Sequence, residues 1–121
     1  MTPCLLVVDD EPDILLTVTD LLSDVLPGWR LVQARSGEEA LAAHDQALPT
    51  VVLSDYLMPG MNGLELSRRL RARGAPAPFL LMTAFVDSGM EQEMTQTGLI
   101  HRFFKKPLDP DRLVQAIRQY A

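Results

Sequence analysis

Four apolar segments of the chain end in residues able to do polar chemistry. Cys4-Leu5-Leu6-Val7-Val8 runs into Asp9, Asp10 and Glu11, and Val51-Val52-Leu53 runs into Ser54 and Asp55. Phe79-Leu80-Leu81-Met82 is followed by Thr83, and Arg102-Phe103-Phe104 by Lys105, Lys106 and Pro107. Crowded carboxylates resist ionising together unless a cation sits among them. Two or three of them, with backbone carbonyls and water, make the all-oxygen setting that suits Mg²⁺. A lysine beside such a site steadies a dianionic oxyanion such as a phosphoryl group, and a threonine hydroxyl can donate to one of its oxygens. An aspartate can itself accept a phosphoryl group as an acyl phosphate. Taken singly, each residue has a plainer use: a helix cap, a turn, a β-branched strand residue or a solvated lysine. Four strand ends meeting on one rim is the reading that joins them.

That meeting depends on the elements between. Pro12 suits the first turn of a helix, and Ile14, Leu15, Val18, Leu21, Leu22, Val25 and Leu26 recur on one helical stripe, stopped by Pro27-Gly28. Trp29 to Ala34 reads as a strand, with Trp29 as packing at its start. Ser36 and Glu39 form a capping box for a second helix, whose apolar side is Ala40, Leu41 and Leu48. Residues 56–63, YLMPGMNG, read as a loop. A helix from about Leu64 to Arg73 carries four arginines, assigned to a solvated face. Residues 87–97 read as a weak helix, containing Gly89, Thr95 and Thr97. Asp109 or Pro110 opens a last helix with Leu113, Val114 and Ile117. His44 and His101 lack metal-ligand spacing and read as surface residues. Five strands of near-continuous apolar character, alternating with five helices, predict a parallel sheet covered on both faces by right-handed crossovers. In such a sheet the sites lie at the carboxyl ends of the strands.

Composition narrows the class. At 121 residues there is room for one domain. The net charge of −5 argues against a general nucleic-acid binder. Residues 1–60 hold ten acids and two bases, while residues 61–121 hold six acids and nine bases. No segment reads as a signal peptide or approaches the ~20 apolar residues of a membrane span. Cys4 is the single cysteine, which fits a buried thiol and a cytoplasmic protein.

The phrases LLVVDDEP, SGEEAL, VVLSDYLMPGMNGLEL, LLMTA and FFKKPLD resemble, in this order and over the whole chain, the response-regulator (CheY-like) receiver domain of two-component signal transduction. The resemblance implies a flavodoxin-like doubly wound (βα)5 fold. It implies that Asp55 is the phosphoacceptor and that Asp9, Asp10, Asp55 and the backbone carbonyl of Leu57 hold Mg²⁺, with Asp9 acting mainly through water. Thr83 and Lys106 would contact the phosphoryl group, Lys105 would point away, and the Lys106–Pro107 bond would be cis. Thr83 and Phe103 would form the switch, biasing a face built by the fourth helix, fifth strand and fifth helix. The implied partners are a histidine kinase or phosphotransfer protein, and an output domain or downstream protein. Neither nucleic-acid nor membrane binding is implied; a homodimer is compatible. Residues 1–121 would be a single receiver domain, alone or within a longer regulator or hybrid kinase. It would be no enzyme beyond its own phosphorylation and slow dephosphorylation.

Two departures carry weight. Phe103 lacks the hydroxyl of a tyrosine switch, and a core role without switching stays open for it. Leu57 and Phe85, two residues beyond Asp55 and Thr83, are apolar and cannot orient an attacking water, so a long-lived phosphoryl group is expected. The alternative of a metal-dependent aspartyl phosphohydrolase is disfavoured, because such enzymes often place an acid where this chain has Leu57. A docking module that is never phosphorylated would not need Asp10, Asp55, Thr83 and Lys106 together. A nucleotide-binding fold lacks its glycine-rich loop after the first strand.

Overall fold

A computed structural model of the chain describes residues 2–84 and 88–120; at 88, 90 and 93–95 only the backbone is described. Five strands and five helices alternate: β1 (Cys4–Val8), α1 (Pro12–Val25), β2 (Arg30–Ala34), α2 (Gly37–Ala47), β3 (Val51–Asp55), α3 (Gly63–Ala72), β4 (Phe79–Thr83), α4 (Ser88–Thr97), β5 (Arg102–Lys105) and α5 (Pro110–Gln119). The strands form one parallel sheet in the order β2-β1-β3-β4-β5. The order reverses direction between β1 and β3, which is the switch point where an open parallel sheet places its site. The register brings Val8 beside Ser54, Asp55 beside Met82 and Thr83 beside Lys105, so the chemically able residues leave the sheet together.

The apolar alternation explains the two core layers. On one face Leu5, Val7, Leu53, Leu80 and Met82 pack with Leu15, Val18 and Leu22 of α1 and with Leu113, Val114 and Ile117 of α5. On the other, Leu6, Val8, Val52 and Leu81 pack with Ala40 and Leu41 of α2 and with Leu66 and Leu70 of α3. The central strands β1, β3 and β4 are buried throughout. Not all five strands are buried, however. β2 and β5 are edges, and most of their residues keep contact with solvent.

Helix ends follow the local chemistry. Ser36 Oγ accepts from the Glu39 N–H at 3.0 Å, but Glu39 Oε1 reaches the Arg35 N–H (3.3 Å) rather than that of Ser36. Asp109 Oδ1 accepts from the Asp111 N–H at 3.0 Å, and Pro110 opens α5. Two expectations fail in α2. Leu48 is 74% exposed, because it takes the left-handed conformation (φ 47°) that ends the helix and turns it out of the apolar side. His44 is buried, not on the surface, because it lies one turn from Leu41 on the inward stripe. His101 is exposed, as expected, yet its Nδ1 accepts from the buried Phe79 N–H (3.1 Å), tying the start of β5 to β4. Trp29 packs against the α1–α5 core layer. Of the α3 arginines, Arg68 and Arg69 pair with Glu65 on the helix surface, whereas Arg73 pairs with Asp45 and ties α3 to α2.

Candidate functional site

β1 ends by donating the Asp9 N–H to Ala34 of β2, and Asp9 is fully buried. Its Oδ1 accepts from the Glu11 N–H at 3.0 Å, which fixes the carboxylate at the mouth of α1. Asp55 closes β3 at 5% exposure, and the next residue, Tyr56, donates its N–H to Met82 of β4. Behind Asp55 stands Gly63. A Cβ there would sit 2.6 Å from the Asp55 carbonyl oxygen and 2.6 Å from Leu81 Cδ1, so only glycine lets the loop close so tightly on the strand end. Asn62, whose side chain accepts from the Glu65 N–H at 2.8 Å, starts α3 at that point. Gly37 makes room in the same way for Met61, which would lie 2.6–3.0 Å from an added Cβ.

Asp9, Asp10 and Asp55 each offer a carboxylate oxygen, and these atoms lie within 4.8 Å of one another. Lys106 Nζ lies 3.3 Å from Asp9 Oδ2 and 3.4 Å from Asp55 Oδ1. Its position follows from β5: the Lys106 N–H donates to the Thr83 carbonyl at 2.7 Å, and the Lys106–Pro107 bond is cis, as expected. Lys105 is exposed, whereas Lys106 is partly covered. Thr83 is buried at the end of β4. Burial, and then the neighbouring Asp9 charge, push the Asp55 carboxyl up to about 6, against the opposing pull of Lys106. Three carboxylates facing one ammonium leave a surplus of negative charge in a covered rim. The all-oxygen donor set fits a small hard divalent cation.

The structure therefore brings Asp9, Asp10, Asp55 and Lys106 together, with Thr83 on the same rim. It places Asp9 against Lys106, a pairing not anticipated from the sequence; the continuous sheet register was the signal that could have given it. Leu57 is 64% exposed beside the site. Phe103 is 38% exposed on the sheet edge rather than in the core. Phe85 lies outside the described residues. Asn62 and Gly63 were also missed as site-builders; their place before a glutamate and an apolar helix marked them as a cap.

Residues 5–118 match the model of the response regulator receiver domain. Among curated relatives, sporulation initiation phosphotransferase F of Bacillus subtilis is 30% identical, covering 99% of this chain and 94% of its own. The transcriptional activator protein ExaE of Pseudomonas putida is 34% identical over 95% of this chain, which spans 53% of that longer protein. Among solved structures, the chemotaxis protein CheY4 of Vibrio cholerae superposes with a TM-score of 0.89 at 28% identity, covering both chains fully. The response regulator protein TrrA of Thermotoga maritima, solved in complex with Mg²⁺-BeF, gives 0.85 at 28% identity over 98% of this chain and 99% of its own. No helix among the described residues is long and apolar enough to cross a membrane. Sequence, sheet order and site geometry agree: the chain belongs to the response regulator receiver domains, the signalling domains of two-component systems.

Proposed function

We propose that Asp55 is the phosphoacceptor of this receiver domain and that Asp9, Asp10 and Asp55, with the Leu57 carbonyl, hold Mg²⁺. The observation that carries the reading is the triad of carboxylates within 4.8 Å, two of them in contact with one lysine. The Asp55 carboxylate attacks the phosphorus of a phosphohistidine on a histidine kinase or phosphotransfer protein. A P–O bond forms as the P–N bond breaks, and the imidazole leaves with the bonding pair. Lys106 moves from pairing two carboxylates to pairing the new phosphoryl oxygens, and Thr83 donates its hydroxyl to one of them. Bound Mg²⁺ would supply charge neutralisation for the carboxylates and the transferred group. The strain-free way to accommodate a dianion at the rim is a small inward movement of Thr83, which biases Phe103 and the face of α4, β5 and α5. Residues 1–121 act as one receiver unit, alone or within a longer regulator or hybrid kinase, in the cytoplasm.

The apolar, exposed Leu57 offers no hydrogen bond to a hydrolytic water. The phosphoryl group is accordingly long-lived, and a polar residue at position 57 shortens its lifetime. The experiment is intact-mass spectrometry after incubation with Mg²⁺ and a small acyl phosphate. One added phosphate is expected with Mg²⁺, and none when the metal is chelated or in Asp55→Asn. A second reading, phosphohydrolase activity, has no observation in its favour.

A further inference from the structure

Ser54 is the polar exception in an apolar row. It stands in the sheet between Val8 of β1 and Leu81 of β4, and all three are buried. A buried hydroxyl costs free energy unless it finds a partner, and alanine or valine would fill this place without that need. The Ser54 hydroxyl donates to the Asp55 carbonyl oxygen at 2.9 Å. Support from β1 stops just there, since β1 pairs with β3 only as far as Val8 and Ser54. The Asp55 carbonyl is the last of β3, and it is the oxygen that the Gly63 backbone approaches so closely that no Cβ fits.

This bond completes a run of fixed peptide groups. The unit between Asp55 and Tyr56 is held at both polar atoms: Ser54 Oγ donates to its carbonyl, and its N–H donates to the Met82 carbonyl at 2.9 Å. The next unit, between Tyr56 and Leu57, is held at its carbonyl by the Gly63 N–H at 2.8 Å. Each peptide unit is a rigid plane, so pinning two in succession leaves little freedom at Asp55 and Tyr56. We propose that Ser54 is a positioning residue of the phosphoacceptor site. Acting through the Asp55 carbonyl, its hydroxyl sets the angle at which the Asp55 carboxylate leaves the strand and the place at which the chain presents the Leu57 carbonyl. Reacting groups and metal ligands work only when held close to their productive geometry, and hydrogen bonds behind them do the holding. The inference rests on the receiver reading of Asp55 and adds a residue to it.

Three variants test this. Ser54→Ala removes the hydroxyl with the smallest change in volume, while Ser54→Thr and Ser54→Val are matched in shape and differ in the hydroxyl alone. In metal-free protein, amide hydrogen exchange at Tyr56 and Gly63 should quicken about tenfold in the alanine and valine variants, with the β1 amides unchanged. Mg²⁺ affinity should fall on the order of tenfold in both. The rate of phosphorylation by a small acyl phosphate at saturating Mg²⁺ should fall by about as much. Ser54→Thr should return all three quantities close to wild type. The measurements are made well below each melting temperature, where lost stability alone moves none of them. If the added methyl group prevents folding of the threonine and valine variants, alanine against wild type decides. Threonine and valine variants alike in exchange and Mg²⁺ affinity would overturn the inference. So would an alanine variant that matches wild type in both and differs only in melting temperature. Wild-type protein that takes no phosphate would overturn the receiver reading of Asp55 instead, while exchange and Mg²⁺ affinity still decide the part played by Ser54.

Discussion

At the scale of single residues, the site is a problem of charge held in place. Asp55 is buried beside Asp9, and its carboxyl titrates near 6 rather than at its ordinary 3.8. The native state therefore binds its proton more tightly than the unfolded chain does. Stability from this group is fully present below the unfolded value and is lost as the pH rises through about 6. In metal-free protein at neutral pH, Asp55→Asn should be more stable than wild type by about 2 kcal/mol. The difference should close below pH ~4; denaturant unfolding across this range reads it directly. Mg²⁺ affinity should fall as the pH drops through 6, because a proton then competes for the same oxygens. Lys106 acts in the opposite sense. In Lys106→Met, two buried carboxylates lose their cation, so the Asp55 carboxyl should climb further and metal-free stability should drop by about 1–3 kcal/mol. Carboxyl NMR titration and thermal unfolding measure the two effects, and added Mg²⁺ should restore more stability to the variant than to wild type.

At the scale of elements, small residues decide how closely the loops approach the strand ends. Gly63→Ala places a methyl group against the Asp55 backbone and should cost about 1–3 kcal/mol, with weaker Mg²⁺ binding as the strand end shifts. Ser36→Ala removes the accepted bond from Glu39 and should cost about 1 kcal/mol without touching metal affinity, since α2 does not line the site. These elements were legible in the sequence because each has a local cause: Pro12 and Pro110 open helices, Pro27-Gly28 closes one, and unbroken apolar runs mark the central strands. What escaped was set by position in the assembled sheet. Edge exposure of β2 and β5 depends on strand order, which no single strand encodes. His44 looked superficial by residue type, but helical phase buried it. Leu48 looked apolar and inward, but the backbone turn that ends α2 exposed it.

At the scale of the whole molecule, the uneven charge resolves into functions. Three acids of the first half, Asp9, Asp10 and Asp55, meet across the sheet, and Lys106 of the second half reaches in to two of them. Of the other bases in that half, Arg68 and Arg69 pair locally with Glu65 on α3, Arg73 pairs with Asp45 of α2, Arg118 donates to the Val25 carbonyl, and Arg102, Lys105 and Arg112 line the cleft beside Phe103. The receiver family was legible because its residues stand at strand ends, where sequence order and apolar runs locate them. The Asp9–Lys106 contact was not, because it joins residues 97 positions apart. The central claim is that the buried aspartate of β3 becomes an acyl phosphate. Its most direct test is to phosphorylate the chain with Mg²⁺ and a small phosphodonor, reduce it with borohydride, and sequence the peptides by mass spectrometry. Hydride converts an acyl phosphate to an alcohol and releases phosphate, so position 55 should read as homoserine, in phosphorylated samples only. Homoserine at Asp9 or Asp10, or an unreduced Asp55 in protein that carries the phosphate, would contradict the account.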